Sequence, residues 1–271
     1  MIVDAHTHLL PYGLAVAVRR FFGSDITDRL VYSIDHRPTL DALHADGITA
    51  VWNLPYARRP GAAADLNQSF LQISDDLADH PVTVIPGCTV HPGDDNPAQD
   101  LRQAVEQGAR VCKLHCSVGE YQADDPRLAP VYDMAAELGV PVTIHAGHSV
   151  TGHTEAADLH AVDVVARRHP ATTVVLAHLG HRAHEQAIGL MDANTNLWAD
   201  LTPVLFDLVP LTAATAIRLS DRLLFGSDAP NCGHTAGTIV QSLRQLGLPS
   251  AVMISITGGN ARRLVPVRHH A

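Results

Sequence analysis

Short apolar runs recur along the chain and alternate with stretches that have helical periodicity. These runs are rich in Val, Ile and Leu and occur at Ile2–Ala5, Ile48–Leu54, Val82–Val90, Ala109–Leu114, Val140–Ala146, Thr172–Ala177, Asn196–Leu201 and Arg222–Gly226. Continuous apolar runs of this length are typical of strands that are buried on both faces in a parallel sheet. The pattern therefore predicts eight parallel strands.

Amphipathic segments lie between several of these runs. They span Pro38–Asp46, Asp94–Gln107, Arg127–Leu138, Glu155–His169 and, after the last strand, Ser250–Val265. Gly47, Gly108 and Gly139 directly follow the first three of these segments, and a glycine there is a common C-terminal stop of a helix. These segments are therefore predicted to be helices.

The alternation of strands and helices predicts an α/β fold, a single (β/α)8 TIM barrel over residues 1–271. A doubly wound open sheet is the alternative, but it usually begins with a glycine-rich phosphate-binding turn, and here the first turn is His6-Thr7-His8. Residues 9–37 are interpreted as a long first loop, which on the catalytic face of a barrel would shape the active site. That loop carries Arg19, Arg20, Phe21 and Phe22.

The composition limits the function classes. The net charge of −9 disfavours a general nucleic-acid binder, since that role needs a basic surface. The chain has no apolar run long enough for a membrane span, and the first residues lack the features of a signal peptide. The cysteines form no CxxC pair, which favours reduced, buried thiols in a cytoplasmic protein; they are Cys88, Cys112, Cys116 and Cys232.

Potential metal ligands stand where several predicted strands end. His6 and His8 follow the first strand and share a face, because strand side chains alternate. His145, His178 and Asp228 stand at or just after the ends of strands five, six and eight. Polar groups that merely cap a barrel are the alternative, but buried ionisable groups are costly unless they are paired or bind a metal. We therefore expect His6, His8, His145 and Asp228 to bind one divalent ion, with zinc as the first choice.

These motifs, taken in order, resemble the amidohydrolase superfamily, and within it the amidohydrolase-related (amidohydrolase 2) branch. The matching pieces are Val3–His8, Lys113–His115, Ile144–Gly147, Ala177–Gly180, Gly226–Pro230 and Gly259–Ala261. The resemblance covers the whole chain. It implies a barrel enzyme that uses one or two divalent ions.

The resemblance also implies roles for individual residues. His6, His8 and His145 would be ligands, and Asp228 would be both a ligand and the general base. His178 would either bind a second metal or polarise the substrate and transfer a proton. Three roles are open for Lys113. It is a carbamylated ligand that bridges two metals, a cation that binds an anionic substrate group, or a partner of Asp228 or another acid in a salt bridge.

Other polar residues near the predicted strand ends are weaker candidates. His115 shares a face with Lys113, His91 follows strand three and Asn231 follows Asp228, and we expect all three to contact the substrate. Surface or structural roles are expected for the remaining polar residues near these ends, and Cys232 has no base beside it that would make it a nucleophile. The residues with an expected surface or structural role are His148, His153, Arg58 and Arg59, whereas His234, which follows Asp228 as Asn231 does, is a further candidate for a substrate contact.

The sequence thus predicts a metal-dependent hydrolase of a small molecule that carries a carboxylate and an amide, lactam or lactone bond. A nonoxidative decarboxylase on the same ligands is the alternative. The resemblance favours hydrolysis over it, because His178-Leu179-Gly180 stands where such decarboxylases usually have His-Gly-Gly. A ligand-binding barrel without activity and a nuclease or phosphoesterase are less favoured. The expected partner is a small-molecule substrate, with no nucleic acid and no membrane, and a homo-oligomer is left open.

Overall fold

The computed structural model describes residues 1–147 and 152–267. Its strands form one eight-stranded sheet whose order follows the chain from β1 to β8. They span β1 Ile2–Thr7, β2 Ile48–Asn53, β3 Thr83–Cys88, β4 Val111–Leu114, β5 Val142–Ile144, β6 Val174–Leu176, β7 Leu197–Asp200 and β8 Leu223–Leu224. Parallel strands that neighbour each other in chain order and alternate with helices have the (β/α)8 TIM-barrel arrangement, so the predicted fold class is confirmed.

The helices of the described residues fill the intervals between the strands. They span α1 Tyr12–Phe22, α2 Ser24–Thr27, α3 His36–Ala45, α4 Ala63–Asp76, α5 Pro97–Glu106, α6 Cys116–Gly119, α7 Ala129–Leu138, α8 Glu155–Arg168, α9 His184–Ala193, α10 Ala213–Arg218, α11 Ala236–Gln245, α12 Ser250–Ile254 and α13 Asn260–Leu264. Local signals set several of these ends: the Asn96 side chain accepts a bond from Gln99 N at the start of α5, and Gly139 ends α7 with φ 66°. Among the described helices, none combines the length and apolar character that a membrane span requires.

The contacts divide the chain into two compact units. The first unit comprises Met1–Asn53, Gln72–Ile85 and Leu201–Ala271. Its strand β1 pairs with β2 and also bonds the chain around β8, since Ala5 N donates to Phe225 O over 2.9 Å. Most apolar side chains of these strands are buried, and Val3, Ala50 and Leu223 are fully so. The first and the last parts of the chain therefore share one core.

The second unit comprises Leu54–Leu71 and Pro86–Asp200. Within it β4, β5, β6 and β7 pair in regular parallel register, for example Cys112 with Val142 and Val142 with Val174. These strands are buried on both faces, which explains why they read as continuous apolar runs in the sequence. Cys88, Cys112 and Cys116 are free and buried in this unit, and Cys232 is free and buried in the first, so the prediction of buried, unpaired cysteines is confirmed.

Two sequence-based predictions about local structure were wrong. Residues 9–37 do not form one loop, because most of the segment is helical in α1 and α2 and α3 begins at His36. Ser250–Val265 is not one helix, because a π-helical turn at Ser255–Gly259, which ends in two adjacent glycines, separates α12 from α13. His148 lies outside the described residues, and its predicted surface role stays a prediction.

Candidate metal centre

Two imidazoles converge where β1 ends. His6 is fully buried and His8 is 5% exposed. Their Nε2 atoms lie 3.2 Å apart, so both rings direct the same nitrogen towards one point. The side-chain alternation of β1 explains this, since residues two apart project from the same face.

Asp228 follows β8 and completes a cluster with these two histidines. Its Oδ1 lies 3.3 Å from His8 Nε2 and 3.8 Å from His6 Nε2. The backbone of Asp228 is left-handed, with φ 63°, a conformation that Asp adopts more readily than most residues. Hydrogen bonds hold the residue on both sides: Asp228 N donates to His6 O over 2.9 Å, and Asn231 N donates to Asp228 O over 2.7 Å. The carboxylate is therefore fixed beside the imidazoles by the backbone.

The donor atoms of this cluster have the spacing that a divalent ion requires. Ligand atoms about 2.0–2.1 Å from a tetrahedral ion lie about 3.3 Å from each other. Two of the three separations in the cluster are 3.2 and 3.3 Å, and the third, from His6 to Asp228, is 3.8 Å. Within the described residues, this is the one group of three or more potential ligands whose donor atoms all lie within 4.8 Å of each other. Two nitrogens and one carboxylate oxygen therefore fit a divalent cation such as zinc.

A buried carboxylate from a strand interior supports the cluster. Asp4 Oδ1 accepts hydrogen bonds from His6 N over 3.1 Å and from Ser227 N over 3.0 Å. Asp4 Oδ2 accepts a short bond from the Ser227 hydroxyl, which in turn accepts from Ala229 N over 3.1 Å. Asp4 thus ties the backbone of His6 to the loop that carries Asp228. Sequence reasoning missed this role, because nothing in the pattern links residues 223 positions apart.

Gly226 allows the two segments to approach. A Cβ atom added at this position would lie 2.9 Å from His6 Cβ and would also collide with Thr202 Oγ1. Real Cβ atoms do not approach other heavy atoms so closely, so a larger residue would displace His6 or Thr202. This gives the Gly226-Ser227-Asp228 motif a physical reason at its first position.

The second unit presents a row of aromatic rings at the ends of its strands. His145 follows β5 and stacks on His115, with ring centroids 3.8 Å apart and planes 16° apart. His178 meets the His145 ring nearly edge-on, and its Nε2 lies 3.2 Å from His145 Nδ1. Tyr56 closes the row by packing against His115 at 5.1 Å. The Nε2–Nδ1 separation fits a hydrogen bond between the two imidazoles and also fits two ligands of one ion.

The turn after β6 fixes the His178 ring. His178, Leu179, Gly180 and His181 all have positive φ, which turns the chain sharply at this point. His178 N donates to the buried carboxylate of Asp200 over 2.8 Å. A Cβ atom at position 147 would lie 3.1 Å from the His178 ring, so Gly147 leaves room for it. Asp200 is a supporting residue that the sequence analysis did not identify.

Lys113 is fully buried on β4. Its backbone carbonyl accepts a hydrogen bond from the Thr89 hydroxyl over 2.8 Å. Burial raises the pKa of the Cys116 thiol, and an uncarbamylated, charged Lys113 would oppose that rise. A lysine is rarely buried to this degree without a specific partner or role. Which of the three predicted roles Lys113 has stays open at this point.

Three of the weaker candidates are histidines whose ring nitrogens already contact other groups of the protein. His91 is buried with both ring nitrogens occupied, since Nε2 donates to Gly119 O and Nδ1 accepts from Gly93 N. His153 pairs with Asp158 at 2.8 Å, and His234 Nε2 bonds Phe206 O at 2.8 Å. These contacts give all three histidines a structural role, while the predicted substrate contacts of His91 and His234 stay predictions.

Four further sequence candidates differ in their exposure to solvent. Arg58 and Arg59 are exposed, as expected for surface arginines. Cys232 is fully buried, and burial raises its pKa to about 12, so its thiol is not an activated nucleophile. Asn231 is buried and its backbone holds Asp228, but its predicted substrate contact stays a prediction.

The fold and the first-unit cluster define the class of (β/α)8 proteins that place histidine and aspartate ligands at their strand ends. The Amidohydrolase family model (Amidohydro_2) matches residues 3–267, which is nearly the whole chain. The chain therefore belongs to the amidohydrolase family, and the family that the sequence motifs indicated is confirmed. No curated protein matches the chain significantly.

Solved structures support the fold. An uncharacterised TIM-barrel protein from Bordetella bronchiseptica has a TM-score of 0.76 and 19% identity, with 97% of this chain and 98% of that chain covered. The 5-carboxyvanillate decarboxylase of Sphingomonas paucimobilis has a TM-score of 0.72 and 13% identity, with 98% and 99% covered. A probable 2-pyrone-4,6-dicarboxylic acid hydrolase from Acinetobacter baumannii, with citric acid bound, has a TM-score of 0.62 and 15% identity, with 97% and 98% covered. At these identities the likeness concerns the fold.

Proposed function

We propose that the chain is a metal-dependent hydrolase that acts on a small, carboxylate-bearing molecule with an amide, lactam or lactone bond. The observation that carries the proposal is the cluster of His6, His8 and Asp228, whose donor atoms lie 3.2–3.8 Å apart. Membership of the amidohydrolase family supports an enzyme built around such a centre. The proposed cofactor is one or two divalent ions, with zinc as the first choice.

The proposed ligand set extends beyond this cluster. His145 is proposed as the fourth ligand, and Lys113 and His178 as the residues that decide between one ion and two. When bound, a divalent ion supplies Lewis acidity and lowers the pKa of a water molecule towards about 7. The ring contacts of His145 support the proposal, because stacking on His115 fixes the plane of an imidazole that must present one nitrogen.

The remaining steps fall to side chains of this chain. Asp228 is proposed to accept a proton from the attacking water and to return it to the leaving group, since its backbone holds the carboxylate rigidly. His178 is proposed to stabilise negative charge on the substrate oxygen and to transfer a proton. Lys113, His115, His91 and Asn231 are proposed to bind the substrate, with Lys113 facing its carboxylate.

A nonoxidative decarboxylase is the second candidate. The same donor set and the same family fit it, and one structure with this fold is a 5-carboxyvanillate decarboxylase. In that case the substrate carboxylate is the group that leaves. The two reactions differ in their oxygen balance, because hydrolysis adds one solvent oxygen to the products and decarboxylation releases CO2.

Metal analysis tests the centre itself. Protein purified without chelator is expected to contain one or two equivalents of a divalent metal, measured by inductively coupled plasma mass spectrometry. His6→Ala is expected to lose metal, whereas His44→Ala, which removes an exposed histidine from α3, is expected to keep it. Equal metal content in these two variants would contradict the proposed centre.

A substrate screen tests the reaction. Free acids are paired with their esters or amides, and products are analysed in 18O-labelled water and for released CO2. Solvent oxygen in the product supports the hydrolase, and CO2 without solvent oxygen supports the decarboxylase. Lys113→Ala is expected to raise KM for the acids, and neutral analogues that are turned over as well as acids would contradict a carboxylate-bearing substrate. Loss of one metal equivalent in Lys113→Ala would instead assign Lys113 to the metals.

A further inference from the structure

The segment between β1 and β2 lines an open pocket of the first unit. The pocket has a volume of about 670 Å³ and is lined by residues from Val16 to Ile34, in and after helices α1 and α2. This volume is in the range of small-molecule sites. The polar lining includes the guanidinium groups of Arg19 and Arg20 and the hydroxyls of Ser24 and Thr27.

Arg19 brings a positive charge that the described residues do not neutralise. Its Nη2 donates to Tyr32 O over 2.9 Å and to Pro230 O over 2.8 Å, and both acceptors are neutral carbonyls. Its Nε is buried and has no hydrogen-bond partner among the described residues. Burial lowers the pKa of Arg19, and no carboxylate opposes that shift. A partly buried guanidinium in this state is costly unless an anion pairs with it.

The charged residues of the lining leave an excess of positive charge, which one anionic group could neutralise. The lining contains two arginines, Arg19 and Arg20, and one carboxylate residue, Asp28. The Thr27 hydroxyl donates to Arg19 O over 3.0 Å and keeps its acceptor capacity, while the Ser24 side chain is exposed. Arginine is the side chain that best recognises carboxylate and phosphate oxygens, because its donors form a planar fork.

We propose that this pocket is an oxyanion site in which Arg19 and Arg20 bind a carboxylate or phosphate group of a small molecule. The site does not depend on the proposed reaction, since its residues are distinct from the His6, His8 and Asp228 cluster. An anion bound at this site would affect the loop after β8, because the Arg19 guanidinium also donates to Pro230 O, two residues beyond Asp228. The group comes either from the substrate itself or from a separate small molecule.

Binding is tested on the protein as purified, with its metal content unchanged, and with inorganic phosphate and acetate as probes. The melting temperature is measured against probe concentration at constant ionic strength, with chloride as the reference. A saturable rise of roughly 3–6 °C at about ten times Kd is expected for the wild type with at least one probe. The rise is expected to be lost in Arg19→Gln and reduced in Arg20→Gln. It is expected to persist in Arg244→Gln, which removes an exposed arginine from α11.

Arg19→Lys and circular dichroism separate loss of the site from loss of the fold. Lysine keeps the charge but not the fork, so a folded Arg19→Lys variant is expected to bind the anion more weakly. If Arg19→Gln does not fold, the test is the comparison of the rise in melting temperature between Arg20→Gln and the wild type. No saturable rise in the wild type with either probe would overturn the proposal, as would a rise in Arg20→Gln equal to that in Arg244→Gln.

Kinetics identify the source of the anion. If the group belongs to the substrate, phosphate or acetate raises the apparent KM and leaves kcat unchanged. If it belongs to a separate molecule, the probe changes kcat at saturating substrate. Both outcomes support the site, and its failure in the melting experiment would leave the metal content of the protein unaffected.

Discussion

The two units place histidines at strand ends by different means. In the first unit, His6 and His8 meet a carboxylate, and hydrogen bonds from Asp4 and Ser227 hold the backbone around them. In the second unit, the His145 ring has His115 stacked on one face and His178 at its edge, and the His178 backbone donates to Asp200. Backbone hydrogen bonds support both regions, and the stacked rings are an additional support in the second unit.

This difference indicates how each region tolerates change. Nitrogen and oxygen donors together can bind a cation without neighbouring rings, but they depend on a buried hydrogen-bond network that must stay complete. A row of imidazoles depends on packing and on each ring staying neutral, because stacked cations repel. The first unit should therefore respond sharply to the loss of single hydrogen bonds, and the second more gradually.

Loss of the Asp228 carboxylate is expected to have the largest effect. Asp228→Asn should lower kcat by about 100-fold or more, since general-base catalysis typically contributes about 10²–10⁴. The fold should persist, because the backbone bonds of residue 228 do not involve the side chain. Asp221→Asn, which changes a carboxylate that is 69% exposed, is the matched control. A near-normal kcat in Asp228→Asn with metal bound would refute its role as the base.

Removal of the Ser227 hydroxyl is expected to have an intermediate effect. Ser227→Ala deletes one bond to Asp4 Oδ2 and one from Ala229 N, which should cost about 1–3 kcal/mol of stability. Metal affinity should fall about 10–100-fold, as is typical when residues that orient ligands are lost. Isothermal titration with zinc measures the affinity, and chemical denaturation measures the stability. Ser69→Ala on α4 is the control, since that hydroxyl bonds only Asp65 O in its own helix. Unchanged affinity would show that the cluster does not depend on this network.

The smallest effect is expected at a carboxylate of the second unit. Asp158 is 4% exposed, its Oδ1 pairs with His153, and its Oδ2 has no partner among the described residues. Burial therefore raises its pKa above 3.8. A raised carboxyl pKa favours the folded state below the unfolded pKa, and this contribution is lost as pH rises through the folded pKa. The stability of the wild type relative to Asp158→Asn should thus fall from pH 4 to pH 7. Denaturation curves of both proteins at these pH values test this, and a difference that is constant with pH would contradict it.

The sequence predicted the repeating architecture because the signal is redundant. Each buried strand is visible in the sequence as an apolar run. The candidate site residues stand at or just after the ends of these runs, as His145 does after Ile144. Strand alternation was enough to place His6 and His8 on one face. The pairing of these histidines with Asp228 was expected from the order of the motifs and is present in the first unit.

Other features lacked a local signal. Helix α1 begins after Pro11 without a side-chain cap and carries Gly13 near its start, so the usual signs of a helix beginning are absent. Its end was marked, by Arg19 and Arg20 in the last turn and Gly23 directly after. The positive φ of Asp228 and the bond between Asp4 and Ser227 depend on tertiary contacts, which no periodicity in the sequence records.

The bond between Asp4 and Ser227 has a consequence for the order of events during synthesis. The two residues are 223 positions apart, so the network around His6 and His8 cannot close until the ribosome has released the β8 segment. Closing so long a loop is slow compared with forming neighbouring strand pairs. A nascent chain therefore carries His6 and His8 for most of its translation without Asp228 beside them. Stable binding of the proposed metal ion would therefore be a late event, which follows the joining of the first strand to the last.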